Sequence, residues 1–166
     1  MKKNKSAMVI NDALTALFNS AVMLKNAIRQ FFRNKNITEA QFHVLWLLKS
    51  ANHPLTQKEL SEALLVDKSN LTGLVDRMER AGHLRRKKAE HDRRSYDLLL
   101  TAEAEKLFEE LLPSYQELLS SIMTELPPEE LVLLTGMLNK LQKSLDNRCP
   151  CSQAAASYLK EYSHEQ

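Results

Sequence analysis

Residues 55–100 read LTQKELSEALLVDKSNLTGLVDRMERAGHLRRKKAEHDRRSYDLLL, and no other part of the chain carries as many structural signals. Thr56 and Glu59 stand at capping-box spacing, in which each side chain satisfies a backbone N–H that the first helical turn leaves unpaired. An apolar stripe at helical spacing follows: Leu60, Ala63 and Leu64. The pattern therefore predicts a short helix that begins directly after Thr56.

A second helix is predicted after Asp67, which stands at its N-cap. Its apolar residues keep helical spacing: Leu71, Leu74, Val75 and Met78. Gly82 is suited to the left-handed conformation that ends many helices. Two short helices joined by a tight turn indicate a helix-turn-helix.

The start of this second helix carries short polar side chains off its apolar face. They are Lys68, Ser69, Asn70, Thr72 and Gly73, and Arg77 and Arg80 follow further along. In a helix-turn-helix this part of the second helix approaches base edges, where Asn pairs with adenine, while Arg suits phosphates. The alternative is that these are ordinary first-turn residues, since polar side chains favour helix starts in any case.

Beyond Gly82 the helical spacing of apolar residues ends. Residues 84–88 and 96–100 read as two short strands around a charged turn, which together form a basic wing. From Lys68 to Arg94 there are nine cations against four acids, and Arg86 among them is a predicted DNA contact. Residues 101–135, in contrast, hold eight glutamates and a single lysine. A solvated surface is the simpler reading of such a charge run, but its place after a helix-turn-helix favours a polyanionic partner.

At these residues the chain resembles the winged-helix domain of the MarR family of bacterial transcription regulators. The matching segments are 37–42, 44–45, 55–57, 59–60, 75–79 with Gly82, 92–94 and 100–101. The resemblance implies a homodimer on double-stranded DNA with a palindromic operator, with the second helix in the major groove and the wing in the minor groove. It implies that Asp92 orients the wing and that Arg94 is the residue at its tip, and Arg93 is a further predicted DNA contact. Gly73 departs from the family, because a longer side chain is common there.

The predicted fold is mainly α with a small β-hairpin wing, and the family-like domain covers residues 8–146. The winged helix-turn-helix takes about residues 37–100, and dimerisation helices take about 8–33 and 101–146. Apolar residues alternate at spacings of four and three in the first of these helices, and Leu134, Leu138, Leu141 and Leu145 repeat the spacing near the C-terminus. An intramolecular bundle is the alternative to a dimer, and the resemblance favours the dimer.

The composition narrows the function classes further. A chain of 166 residues with 43% hydrophobic residues can build a core of its own. No apolar run is judged to reach the roughly 20 residues of a membrane span, and no cleavage site follows the basic start, so the sequence predicts a cytoplasmic protein without a membrane partner. Nucleophile elbow, phosphate loop and zinc motif are all missing from the sequence, which predicts neither an enzyme, nor a cofactor, nor a metal site.

Two further groups of residues bear on regulation. Phe18, Phe42 and Trp46 could offer a small-molecule effector an apolar wall, although such residues more often belong to a core. The preferred reading is a repressor that a small-molecule effector releases from its operator. Cys149 and Cys151 lie near the start of the tail at residues 147–166 and raise the alternative of a redox- or metal-responsive regulator. A third reading, an interaction module that does not bind DNA, requires the basic segment to be only a solvated surface.

Overall fold

The structure of the chain is a computed structural model, and it describes residues 2–89 and 95–146. This described part holds six helices and three strands: α1 Lys2–Phe32, α2 Glu39–Ser50, β1 Leu55–Thr56, α3 Gln57–Ala63, α4 Lys68–Arg80, β2 Leu84–Lys88, β3 Tyr96–Leu100, α5 Ala102–Ile122 and α6 Pro128–Asp146. The predicted mainly-α class with a β-hairpin wing is confirmed. The chain divides into two units, and the boundary lies between residues 39 and 40.

The helix starts follow the sequence signals closely. The capping box of α3 is present: Thr56 Oγ1 accepts a hydrogen bond from the Glu59 backbone N–H at 3.3 Å, and Glu59 Oε2 accepts one from the Thr56 N–H at 2.8 Å. Thr101 caps α5 by accepting from the Ala104 N–H at 3.2 Å. Asp67 does occupy the N-cap of α4, but its side chain makes no capping hydrogen bond. The predicted position of that cap is therefore correct, but the side-chain hydrogen bond that an N-cap aspartate is expected to make is absent.

Helices α3 and α4 end in the same way with different residues. After α4, the Gly82 N–H binds the Glu79 carbonyl and the His83 N–H binds the Met78 carbonyl, which is a Schellman motif with Gly82 at φ +76°. After α3, the Leu65 and Val66 N–H groups make the equivalent bonds to Glu62 and Ser61, at 3.3 and 3.1 Å. The left-handed position is here filled by a leucine, Leu65, at φ 54°.

Replacing Leu65 with asparagine is therefore expected to stabilise the protein. A left-handed conformation costs a residue such as leucine about 1–2 kcal/mol, and Asn tolerates it better. The Leu65 side chain is 59% exposed and gives up little packing when it is removed. We expect the free energy of unfolding in urea to rise by about 0.5–1 kcal/mol, which is part of the cost of the left-handed conformation. The neighbouring Val66→Asn substitution serves as the control, and an equal gain in both variants would refute the argument.

The sheet supports the helix-turn-helix from one side. Its strand order is β1-β3-β2, and both pairs are antiparallel, with Leu84 opposite Leu100 and Leu55 opposite Leu98. Buried side chains come from α3, α4 and all three strands: Leu55, Leu60, Leu71, Val75, Met78, Leu84 and Leu98. The sequence signals indicated β2 and β3 but not β1, because two residues are too few for an alternating pattern.

A cluster of aromatic side chains joins α2 to α5. The ring of Phe42 has no exposed surface and lies 5.3 Å from Phe108 and 4.9 Å from Tyr115, measured between ring centroids. Trp46 packs edge-on against both Phe42 and Phe108. Aromatic pairs at these distances add to the energy of simple burial. The cluster therefore fixes α5 against the helix that precedes the helix-turn-helix.

Helices α1 and α6 leave apolar side chains exposed. In α1 these are Met8, Val9, Ile10, Leu14, Phe18, Val22 and Met23, and in α6 they are Val132, Leu133, Leu134, Met137 and Leu145. Within the described residues, the segment Ser6–Phe32 is long and apolar enough to cross a membrane by length and composition. The prediction that no apolar run approaches that length is therefore wrong. A helix with so much exposed apolar surface needs a partner that covers it.

Candidate nucleic-acid interface

Helix α4 presents one polar face and one buried face. Leu71, Val75 and Met78 are buried against the rest of the unit. The opposite face exposes the residues that the sequence indicated as DNA contacts: Lys68, Ser69, Asn70, Thr72 and Arg77, with Arg80 at the end. These side chains lie at the start and along the outer side of one helix, which is the arrangement a major-groove reader requires.

Thr72 connects the two helices of the motif. Its Oγ1 donates a hydrogen bond to the Lys68 backbone carbonyl at 2.8 Å and lies 3.4 Å from Gln57 Nε2, which donates to it. The hydroxyl proton is thus already used inside the helix. Toward a base edge, Thr72 has an acceptor lone pair and a methyl group to offer, and the methyl group suits the C5-methyl of thymine.

Gly73 leaves space that Arg77 uses. A Cβ atom built on Gly73 would lie 3.4 Å from Nη1 of Arg77, one helical turn further along. The guanidinium group of Arg77 therefore lies above Gly73 on the surface of the helix. The missing side chain at position 73 removes one possible base contact, but it brings a cation toward the middle of α4.

Arg86 has partners inside the protein. Its Nη2 lies 2.5 Å from Oδ1 of Asp76, its Nη1 contacts Oε2 of Glu79, and its side chain is only 22% exposed. Burial alone lowers the pKa of the guanidinium, but the hydrogen bond to Asp76 and the charge of Glu79 outweigh it and raise the pKa above its ordinary value. This pairing argues against the predicted DNA contact of Arg86, because two carboxylates balance its charge and engage two of its five side-chain N–H donors.

Strand β2 exposes cations that the site prediction left out. Arg85, Lys87 and Lys88 are exposed, opposite Leu99, Asp97 and Tyr96 of β3. Alternation along the strand turns Arg85 and Lys87 away from the buried side of Leu84, and Lys88 is the last residue of the strand. The charge count of the segment did not resolve these single residues.

The remaining predicted residues differ in what the structure says of them. Asp92, Arg93, Arg94, Cys149 and Cys151 lie outside the described residues. Among the predicted effector contacts, Phe42 is fully buried and Trp46 half-buried in the second unit, while Phe18 belongs to the first unit and is 67% exposed. Their role in effector binding stays a prediction. Within the described ranges, no group of three His, Cys, Asp or Glu side chains is placed to hold a metal ion.

Comparison with known proteins identifies relatives over most of the chain. Residues 35–95 match the family model of the MarR family. The HTH-type transcriptional regulator FarR of Neisseria gonorrhoeae is 33% identical over 123 residues, which cover 74% of this chain and 84% of the relative. The HTH-type transcriptional repressor YetL of Bacillus subtilis is 29% identical over 131 residues, 78% of each protein.

The fold has a solved counterpart on DNA. A MarR variant from Escherichia coli, crystallised in complex with operator DNA, is 27% identical to the chain and superposes with a TM-score of 0.69 over 78% of this chain and 93% of that one. The family that the sequence motifs indicated is thus confirmed. The chain belongs to the MarR family, and it is a winged helix-turn-helix transcriptional regulator rather than an enzyme.

Proposed function

We propose that the protein is a homodimeric, sequence-specific repressor in the cytoplasm that leaves its operator when a small molecule binds. The observation that carries the proposal is the exposed polar face of α4, with Asn70 near its start, beside the exposed cations Arg85 and Lys88 of β2. A base-reading helix next to a cationic strand matches the two kinds of contact that operator recognition requires.

In this proposal α4 enters the major groove and its first turns read base edges. Asn70 is suited to pair with adenine, Ser69 to accept or donate at several bases, and Thr72 to accept a hydrogen bond. Arg77, Arg85 and Lys88 supply the sequence-independent attraction to phosphates. The wing extends this attraction into the neighbouring minor groove, as its basic composition and the family resemblance imply.

The dimer is supported by the exposed apolar side chains of α1 and of α6, each considered by itself. Met8, Ile10, Leu14 and Phe18 in α1 and Leu133 and Met137 in α6 are exposed in the single chain. Burial of such surface between two copies supplies the main driving force for stable association. A dimer with two-fold symmetry reads a two-fold symmetric operator with half-site centres about one helical turn apart.

Release by an effector needs only two dimer geometries with different spacing of the two α4 helices. A ligand that binds better to the spacing incompatible with adjacent grooves shifts the populations of the two geometries. A difference of about 5.5 kcal/mol between its binding free energies to the two geometries changes their ratio from 1:99 to 99:1. Phe18 in the first unit and Trp46 in the second stay proposed ligand contacts, each by itself, whereas Phe42 has no exposed surface to offer a ligand. The relative YetL is named a repressor, and this supports repression as the direction of control.

The proposal is tested by selecting bound DNA from a random pool with the full chain and by measuring the mass of the free protein by light scattering. We expect an enriched sequence with two-fold symmetry and the mass of a dimer. Enrichment of a single asymmetric half-site by a monomer would overturn the dimeric reading, and no enrichment would overturn sequence-specific binding.

Asn70→Ala and Arg94→Ala are expected to affect DNA binding in different ways. Loss of Asn70 should relax the preference at one base pair per half-site by about 1–3 kcal/mol. Loss of Arg94 should weaken binding to all sequences alike and reduce the salt slope by about one or less for each protomer. Titrations of both variants against the selected operator and its point mutants separate these outcomes. An exchange of the two effects would show that the roles of helix and wing tip have been assigned wrongly.

The thiol alternative is decided by the double variant Cys149→Ser, Cys151→Ser. If release depends on a small-molecule effector, this variant should bind and release the operator as the natural protein does. A variant that binds DNA normally but no longer leaves it under peroxide or a thiophilic metal would establish the redox or metal reading instead. Operator affinity under reducing conditions is the common reference for both proteins.

A further inference from the structure

One guanidinium group connects the wing to α4. Besides the two side-chain pairs of Arg86, the Arg86 backbone N–H donates a hydrogen bond to Oε1 of Glu79 at 3.1 Å. Asp76 and Glu79 lie three residues apart and hence on the same face of α4. A single residue of β2 thus holds two carboxylates of the helix, through both its side chain and its backbone.

The negative charges of the two carboxylates disfavour the binding of a polyanion to this surface. Asp76 and Glu79 are partly exposed, with 48% and 36% of their side chains accessible, on the helix that carries the proposed base contacts. Arg86 neutralises one of the two charges and leaves a net negative charge beside the proposed interface. Electrostatics alone would therefore favour DNA binding more without them. Their presence calls for a role in geometry.

We propose that Arg86 is a positioning residue, which through Asp76 and Glu79 fixes the wing strand β2 at the angle to α4 that lets helix and wing contact DNA together. The proposal rests on the proposed DNA-binding function and deepens it. Arg86 pairs opposite Leu98, whose side chain is buried, so the position of β3 is set together with that of β2. The planar guanidinium holds two acceptors in fixed directions, which the flexible ammonium group of lysine does not do.

The direction in which DNA affinity changes in one variant separates this positioning role from a direct DNA contact. The double variant Asp76→Asn, Glu79→Gln removes two negative charges and weakens the hold on Arg86, because an amide oxygen accepts a weaker hydrogen bond than a carboxylate does. If Arg86 positions the wing, DNA binding should weaken by about tenfold or more, in line with the loss of wing contacts. Equal or tighter binding would overturn the proposal, because removing negative charge or releasing Arg86 toward a phosphate then accounts for the result.

The control is Glu62→Gln, which removes a partly exposed carboxylate of α3 whose cationic neighbour is Lys58 in its own helix, at 4.0 Å. This variant should bind DNA as tightly as the natural protein or more tightly. Partly exposed ion pairs contribute little to folding stability, so we expect all variants to fold. Affinities are compared at a temperature where circular dichroism shows that they do. If the double variant does not fold, Glu79→Gln alone replaces it, and unchanged or tighter binding by this variant overturns the proposal.

Footprinting measures major-groove and minor-groove contacts separately. A variant that only destabilised the fold would lose both kinds of protection equally. In the double variant, protection of guanine N7 in the major groove should remain while protection of the minor groove beside it is lost. Equal loss at both positions would overturn the proposal. Arg86→Lys should restore less than half of the wing protection that Arg86→Gln loses. Failure of the natural protein to bind any selected DNA would instead overturn the proposed function, and the two failures are thereby distinguished.

Discussion

Phe42→Ala is expected to lower the free energy of unfolding by about 3–5 kcal/mol, the range for removal of a fully buried phenylalanine. The ring has no exposed surface and contacts Trp46, Phe108 and Tyr115. Its removal therefore costs burial, leaves a cavity and breaks the aromatic pairs that hold α5 to α2. Urea denaturation monitored by circular dichroism measures the loss.

Tyr96→Ala is the matched control, because Tyr96 is an aromatic residue on β3 that is 44% exposed. Its removal should cost less than about 1 kcal/mol, as for surface substitutions in general. A similar cost in both variants would show that Phe42 is not a core residue. In that case an open pocket at Phe42 would become the better reading, and its role as an effector contact would gain weight.

DNA affinity is expected to fall by about a thousandfold when the salt concentration rises from about 50 to about 200 mM. Exposed cations on α4 and β2 of each chain can reach phosphates: Lys68, Arg77, Arg80, Arg85 and Lys88. If three of these contact phosphates in each protomer, a dimer makes about six contacts and the logarithm of affinity falls with a slope of about −5 against the logarithm of salt. Titrations at four salt concentrations determine this slope.

Two lysines provide a matched pair for this measurement. Lys88→Gln should flatten the slope of a dimer by about two, one contact for each protomer. Lys106→Gln removes the same charge from the exposed outer side of α5, where the lysine pairs with Glu110 at 3.9 Å, and should leave the slope unchanged. A slope shallower than about −2 for the natural protein would contradict a phosphate-dominated interface.

The sequence predicted those parts of the fold that depend on local signals. Thr56 with Glu59, Thr101 and Gly82 each act within a few residues of their own position, so helix starts and ends could be read directly. The end of helical spacing after Gly82 and the charged residues between 84–88 and 96–100 likewise predicted β2 and β3. The polar face of α4 followed from helical periodicity, because burial of Leu71, Val75 and Met78 turns the opposite side outward.

The parts that the sequence did not predict depend on distant partners or on backbone conformation. Strand β1 exists only because Leu55 and Thr56 meet β3, more than 40 residues away along the chain. Arg86 read as one cation in a basic run, since its pairing with Asp76 and Glu79 requires β2 to lie against α4. The left-handed Leu65 gave no signal, because glycine is the usual residue at that position.

The hydroxyl of Thr101 serves two helices at once. It accepts a hydrogen bond at the start of α5 and donates one of 2.6 Å to the carbonyl of Gly82, while the Thr101 N–H binds the carbonyl of His83 at 3.2 Å. The residues that follow α4 and the residue that caps α5 are therefore joined directly by two hydrogen bonds. A tilt of the first turn of α5 would stretch these bonds unless the end of α4 moved with it.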